Sequence, residues 1–354
     1  MKKLWILLFF LFAFFANSSA CRFTIREIGY TSLNIENYLV QIEADTTKNK
    51  SLVSEFRKLA GAYSRTANIN YKIVHVSGKY PEIKCLNSTN QIILNKVASS
   101  KADIRVFYDR LLFSPLQQTI YSQIGKVFAF VVVFTEAKNG KLNRVVDKTL
   151  EQFNKIAPNL DKKIVEPIMK IIIYGERRKQ EELVLRAMGI DFSKNKPVAV
   201  VIYGRGRLTA KPLSGDNIST ENLLNQLVTL GTDCECGINL SPLLQRAIPF
   251  NWNENMGQAV ANMLDIDVEN PMILTEMGRI LSKEPLETGK SDFSFVPQTI
   301  DLDKELGKSN SNSNDVKEEL EQERSVLQTT LIILGVFMLL IIGVGLFLFF
   351  KAKD

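Results

Sequence analysis

From Tyr38 onward the chain alternates between short runs of strand character and segments whose apolar residues recur at helical spacing. Tyr38-Leu-Val-Gln-Ile-Glu-Ala44 reads as a strand. Ser51 to Arg65 carries Leu52, Val53, Phe56, Leu59, Ala60 and Tyr63 on one helical face. Ile69 to Val76 reads as a second strand. Asn90 to Ser100 is expected to be helical, Asp103 to Tyr108 a short strand, and Pro115 to Ile124 a helix.

The second half has a more regular pattern. Val127-Phe-Ala-Phe-Val-Val-Val-Phe134 is continuously apolar, as expected of a strand buried on both faces. A helix is expected over Val145–Ala157, with Val146, Leu150, Phe153 and Ile156 on one side. A strand over Ile168–Tyr174 and a helix over Arg177–Met188 follow, the helix stopped by Gly189. Pro197–Tyr203 is the next strand, turning through Gly204-Arg-Gly206 into Arg207–Pro212. Ser219 is placed to cap a last helix over Thr220–Leu230. The order is β-α-β-α-β-β-α. Beyond it, Met256–Leu264 and Pro271–Leu281 read as short helices, and Phe250 and Trp252 are expected to pack as part of this extension.

Residues 126–231 resemble thioredoxin-like domains in that order and in one local detail. The segment Met188-Gly-Ile-Asp-Phe-Ser-Lys-Asn-Lys-Pro197-Val-Ala-Val-Val matches a helix, a short loop, a proline and a strand. The resemblance implies a cis form for Pro197. It also implies a Cys-x-x-Cys after the first strand, where exposure and the helix dipole lower a thiol pKa. This chain departs there: the position reads Thr135-Glu-Ala-Lys-Asn-Gly-Lys141, without cysteine.

The two ends set the expected location. Leu331 to Phe350 contains no charged or amide side chain, and about 20 such residues span a bilayer core. Lys2 and Lys3, the apolar run Leu4–Ala16 and the small residues up to Ala20 have the form of a secretory signal peptide. Lys351 and Lys353 follow the apolar span, whereas Glu318–Arg324 before it is net acidic, so the tail is expected in the cytoplasm. Ser282 to Gln328 is rich in Pro, Ser, Asn and charge, the composition of a tether. The expected organisation is a signal peptide over 1–20 and an N-terminal α/β domain over 21–125. A thioredoxin-like domain with a helical extension covers 126–281. A tether over 282–325, a single transmembrane helix over 326–350 and a cytoplasmic tail over 351–354 complete the chain. The fold class is therefore α/β, with a thioredoxin-like sandwich in the second half.

Composition narrows the chemistry. The chain has 354 residues, 45% hydrophobic and 23% charged, with a net charge of +6 partly carried by its ends. It has no block of five basic residues, so no nucleic-acid partner is expected. The single histidine, His75, lies in the strand-like stretch Asn70–Ser77 and reads as structural. One histidine makes a Ser-His-Asp triad or a multi-histidine zinc site a poor candidate. No cofactor is expected.

Four cysteines remain: Cys21, Cys85, Cys234 and Cys236. An oxidising compartment permits disulfides. Cys21 follows Ser18-Ser-Ala20; it also resembles the lipidated cysteine of bacterial lipoproteins, with Ser18 where those proteins carry an apolar residue. Cys234-Glu-Cys236 admits three roles. One or both thiols can bridge to Cys85 or Cys21, the pair can exchange with other disulfides, or it can hold a soft metal. Asp233 and Glu235 disfavour the thiolate and so a fast nucleophile. With Cys85 and Pro197 assigned structural roles, the expected function is a membrane-anchored, extracytoplasmic binding or assembly module. Its partners are then the bilayer and an extracytoplasmic or membrane protein. The alternative is a thiol oxidoreductase or metallochaperone using Cys234 and Cys236.

Overall fold

The computed structural model describes residues 23–160, 164–191, 196–232 and 241–282. The chain divides into two units, Met1–Gly289 and Lys290–Asp354, and every described residue belongs to the first. Among the described residues no helix is long and apolar enough to cross a membrane. The expected signal peptide, tether and apolar span lie outside them.

A short helix, α1 (Ile25–Gly29), opens the structure, fixed by a reciprocal capping box between Thr24 and Glu27. Then come β1 (Tyr38–Ala44), α2 (Lys50–Thr66), β2 (Ile69–His75), β3 (Glu82–Leu86), β4 (Ile92–Val97) and α3 (Lys101–Leu112). The four strands form one sheet in the order β2-β1-β3-β4. β1 is parallel to β2 and antiparallel to β3, and β3 is antiparallel to β4.

Two expectations exchange places here. The stretch expected to be helical contains β4, and the stretch expected to be a strand lies in α3. Ser100 and Asp103 form a capping box that starts α3 at Lys101. From there Ile104, Phe107, Tyr108, Leu111 and Leu112 are buried at helical spacing. Ile92-Ile-Leu-Asn-Lys-Val97 is short and rich in β-branched residues, and β3 supplies its ladder.

The second half runs through α4 (Pro115–Gln123), β5 (Phe130–Thr135), α5 (Gly140–Ile156), β6 (Met169–Tyr174), α6 (Glu176–Gln180), α7 (Glu182–Ala187), β7 (Val198–Tyr203) and β8 (Arg207–Leu208). β9 (Leu213–Ser214) and α8 (Thr220–Gly231) complete it, followed by α9 (Ser241–Gln245), α10 (Glu254–Leu264) and α11 (Pro271–Ser282). The sheet order is β6-β5-β7-β8, with β9 also paired to β7. β5 is parallel to β6 and antiparallel to β7, and β7 is antiparallel to β8. Both halves thus have a mixed sheet with the same order and strand directions. The expected helix over Arg177–Met188 is broken at Glu181, and Gly189 adopts φ +74° at its end. No peptide bond among the described residues is cis, so Pro197 departs from the form its resemblance implied. Its carbonyl instead accepts from the Gly215 N–H at 3.1 Å, which pins β9 beside β7.

The sheets differ in layering. In β5 every residue is buried. Its Phe130, Val132 and Phe134 pack with Val184, Leu185 and Met188 from the α6–α7 side and with Leu116 and Ile120 of α4. Val131 and Val133 face the opposite way, the side on which α5 and α8 bury Val146, Phe153, Leu223 and Leu227. β1 instead alternates, with Tyr38, Val40, Ile42 and Ala44 buried against Phe56 of α2 and Phe107 of α3. Only six residues, 76–81, separate β2 from β3. That link is too short for a covering helix, so the other face of the first sheet has no second layer from this connection.

A buried arginine joins the parts. Arg207, on β8, has 0% relative exposure. Its Nε donates to the Gly29 carbonyl at 2.8 Å, and Nη2 to the Thr31 and Leu33 carbonyls at 2.8 and 2.7 Å. Nη1 donates to the Leu244 carbonyl. Burial lowers the Arg207 pKa to about 10, which leaves it charged at neutral pH. Its four acceptors are main-chain carbonyls, so peptide dipoles solvate the charge. The hairpin that presents it needs close backbone approach. Gly204 sits at φ +52°, and a Cβ there would lie 2.3 Å from the Gly29 carbonyl oxygen.

The strand-like segment after Leu244 stitches both sheets. The Leu208 N–H donates to the Arg246 carbonyl and the Ile248 N–H to the Gly206 carbonyl. The Tyr38 hydroxyl donates to the Ala247 carbonyl at 2.7 Å. Asn68 donates to Ile248 and accepts from the Phe250 N–H. Phe250 and Trp252 are buried, as expected for packing residues.

Replacing Arg207 with Met keeps an unbranched apolar stem and removes every donor. Four buried carbonyls then lose a charged partner, and Arg207→Met should destabilise the fold by about 3 kcal/mol or more. Denaturant unfolding followed by far-UV circular dichroism measures this; an unchanged midpoint would contradict the role given to Arg207.

Candidate functional site

The ends of the two central strands are equivalent positions, and neither carries a thiol. After β1 the chain reads Asp45-Thr46-Thr47-Lys48. The Asp45 carboxylate accepts from the Thr47 hydroxyl at 2.6 Å and from the Thr47 and Lys48 N–H groups. The Thr47 hydroxyl, followed by those N–H groups, holds its pKa down at about 2. After β5 the chain reads Glu136-Ala137-Lys138-Asn139. Asn139 caps α5 by accepting from the Lys141 and Leu142 N–H groups. Glu136 pairs with Arg178 of α6 at 2.5 Å. Each loop is thus occupied by a carboxylate engaged with its own surroundings.

His75 sits at the first of these ends. The Thr46 N–H donates to its Nδ1 at 3.3 Å, so Nδ1 is the acceptor and Nε2 carries the proton of the neutral ring. Nε2 lies 3.2 Å from the Ser77 hydroxyl. The side chain facing Nδ1 is Thr46, where a triad needs a carboxylate to orient and stabilise imidazolium. The cluster is a solvent-exposed polar clasp between β1 and β2.

Cys85 is buried and free. It pairs with Val40 and Leu94 across the sheet, and burial pushes its thiol pKa well up. β3 turns its side chain into the core formed with α2 and α3. Cys21, Cys234 and Cys236 lie outside the described residues.

The most developed surface is the open face of the first sheet. Strand register places its outward residues in three rows across β2, β1, β3 and β4. The first holds Asn70, Leu39, Leu86 and Ile92. The second holds Lys72, Gln41, Lys84 and Asn95. The third holds Val74, Glu43, Glu82 and Val97. A bulge between Cys85 and Leu86 lets β4 keep Ile92 on this side while Ile93 is buried. Ile92 and Val97 are 49% and 56% exposed.

The charges on this face form a linked group. Lys84 lies 2.9 Å from Glu43 and 3.4 Å from Glu82, and Lys79 lies 2.5 Å from Glu43 and 3.0 Å from Glu82. Bonds from Lys79 and then Lys84 lower the Glu43 pKa from 4.5 to about 2. The sequence reading missed this group because it did not recognise β3 as a strand. The Glu-x-Lys alternation of Glu82 and Lys84 beside Ile83 and Cys85 was the available signal.

A carboxyl with a depressed folded pKa stabilises the fold above its unfolded pKa and loses that contribution as pH falls. The Glu43 contribution should therefore be complete above pH 4.5 and decline toward about pH 2. Glu43→Gln should flatten this decline in a pH series of denaturant midpoints. An identical slope in the variant would contradict the coupling.

No family model matches the chain, and no curated protein matches it. Among solved structures, it is similar to the zinc-bound form of human ERp44 at 11% identity and a TM-score of 0.21. That match covers 67% of this chain and 64% of ERp44, so the chain spans less than two thirds of that protein. It is also similar to the first two thioredoxin domains of Naumovozyma dairenensis Eps1p. There the identity is 14% and the TM-score 0.20, over 54% of this chain and 90% of that one. A third neighbour, ERdj5, is 14% identical at a TM-score of 0.20, with 60% of this chain and 30% of that one covered.

Proposed function

We propose that this chain is a non-catalytic binding or assembly module of thioredoxin-like design, anchored to a membrane with its folded part on the extracytoplasmic side. The observation that carries the reading is the chemistry of the two strand ends. Asp45–Lys48 and Glu136–Asn139 occupy the positions where the fold type would present a redox cysteine pair, and neither contains a thiol. The one described cysteine is sealed in the core. The shared strand order of the two sheets supports a tandem thioredoxin-like arrangement, the first copy without its second connecting helix. Among the described residues the open face of the first sheet is the surface this reading offers to a partner. The apolar run 331–350 and the Lys-bearing tail support the anchor and its orientation.

One membrane preparation tests both parts. With the extracytoplasmic side outward, added protease should cut within 282–325 and release a folded fragment. The same membranes should exchange an impermeant disulfide peptide no faster than membranes carrying the Cys234→Ser, Cys236→Ser double variant. Full protection from protease would overturn the placement. Robust exchange lost in a double variant of unchanged Tm would move the function to that cysteine pair.

A further inference from the structure

The outward residues of β3 are Glu82, Lys84 and Leu86, and the same alternation carried one step ahead of the strand adds Tyr80 to the proposed surface. Their chemistry is complementary when reversed. Laid antiparallel on a second β3, Tyr80 meets Leu86, Glu82 meets Lys84, and each contact recurs about a two-fold axis. We propose that the open face of the first sheet docks a second copy of this chain, β3 over β3.

The neighbouring β1 fits the same rotation, while β2 sets Lys72 over Val74 and β4 sets Asn95 over Val97, polar on apolar at the margins. On β1 the Gln41 amide faces the Glu43 carboxylate of the other copy, and Leu39 lies at the rim. Tyr80 is 82% exposed, an aromatic ring with little to cover it in one chain. Face-to-face sheets hold their strands within about 30° of each other, which keeps β3 aligned over its counterpart. The existing bonds of Lys79 and Lys84 to Glu43 and Glu82 hold the charges on this face. A carboxylate has about four acceptor sites, so Glu82 can take a lysine from the second copy beside its own. The face measures roughly 20 by 25 Å, about 500 Å² a side. A standard interface buries about 800 Å² a side, so this pairing belongs to the weak, reversible class.

This inference rests on the assembly reading. Failure of pairing, with the protease and exchange results as expected, leaves a module that binds other proteins, so the two failures are distinguishable. The test uses the full chain in mild detergent, carried under two different tags. Wild-type copies should co-purify. Glu82→Lys alone and Lys84→Glu alone should each lose pairing by about tenfold or more, because like charges then oppose across the axis. Mixing the two variants should restore it, since each then presents the charge the other lacks. Recovery on mixing cannot come from a repaired fold, because each chain keeps its own altered network. Tyr80→Ser, at an exposed position, should weaken pairing without moving the Tm. The proposal is overturned if wild-type copies do not pair, if the single charge variants pair as well as wild type, or if mixing restores nothing.

Discussion

A positive charge buried without a carboxylate partner organises this fold. Arg207 reaches the carbonyls of Gly29, Thr31, Leu33 and Leu244 from one position on β8. Those acceptors come from the opening segment and from α9, the short helix just before the stitching segment. A guanidinium suits the task because its donors are fixed in one plane and can meet several carbonyls at once. Leaving it unpaired would be costly, so burial of Arg207 favours the opening segment, the hairpin and α9 being in place together. Arg26 makes a lesser version of the same bond. It lies over the Phe128 ring, donates to the Val127 carbonyl and pairs with Glu166. Arg205 stacks on Trp252 while donating to the Tyr30 carbonyl and to Glu269.

With that seam in place, the two sheets present different surfaces. The second is covered on both sides by its own helices. Among the described residues the first is covered on one side, because its β2–β3 link is too short for a helix. The face left open is neither a hydrophobic liability nor an inert polar wall. Lysines and glutamates run down its middle, and apolar residues sit at its ends. Such a surface is compatible with water and still offers charge and shape for recognition.

Much of this architecture was legible in the sequence, for physical reasons that can be named. β5 announced itself by an unbroken apolar run, and burial on both faces is what such a run requires. α2, α5 and α8 were set by apolar spacing, and Ser219 caps α8 as expected. β4 and α3 were exchanged because Ile92–Val97 is short and its strand state depends on pairing with β3, a non-local contact. α3 depends on the Ser100–Asp103 box, which was overlooked. The glycine hairpin was recognised, but Arg207 beside it was not. Nothing local distinguishes an arginine solvated by distant carbonyls from one on a surface. The open face was hidden for a similar reason, since it exists only once four strands are in register. Pro197 was read by resemblance as cis and is trans.

The central claim is that the open face of the first sheet, rather than a thiol, is the working part. Hydroxyl-radical footprinting reads side-chain exposure on that face directly. The full chain would be labelled in its native membranes, and again after detergent extraction and dilution. The account expects Tyr80, Leu86 and Leu39 to be protected in the membrane and labelled after dilution, with the Asp45–Lys48 and Glu136–Asn139 loops equally labelled in both. Equal labelling of the open face in the two states, with protection confined to the loops, would contradict it.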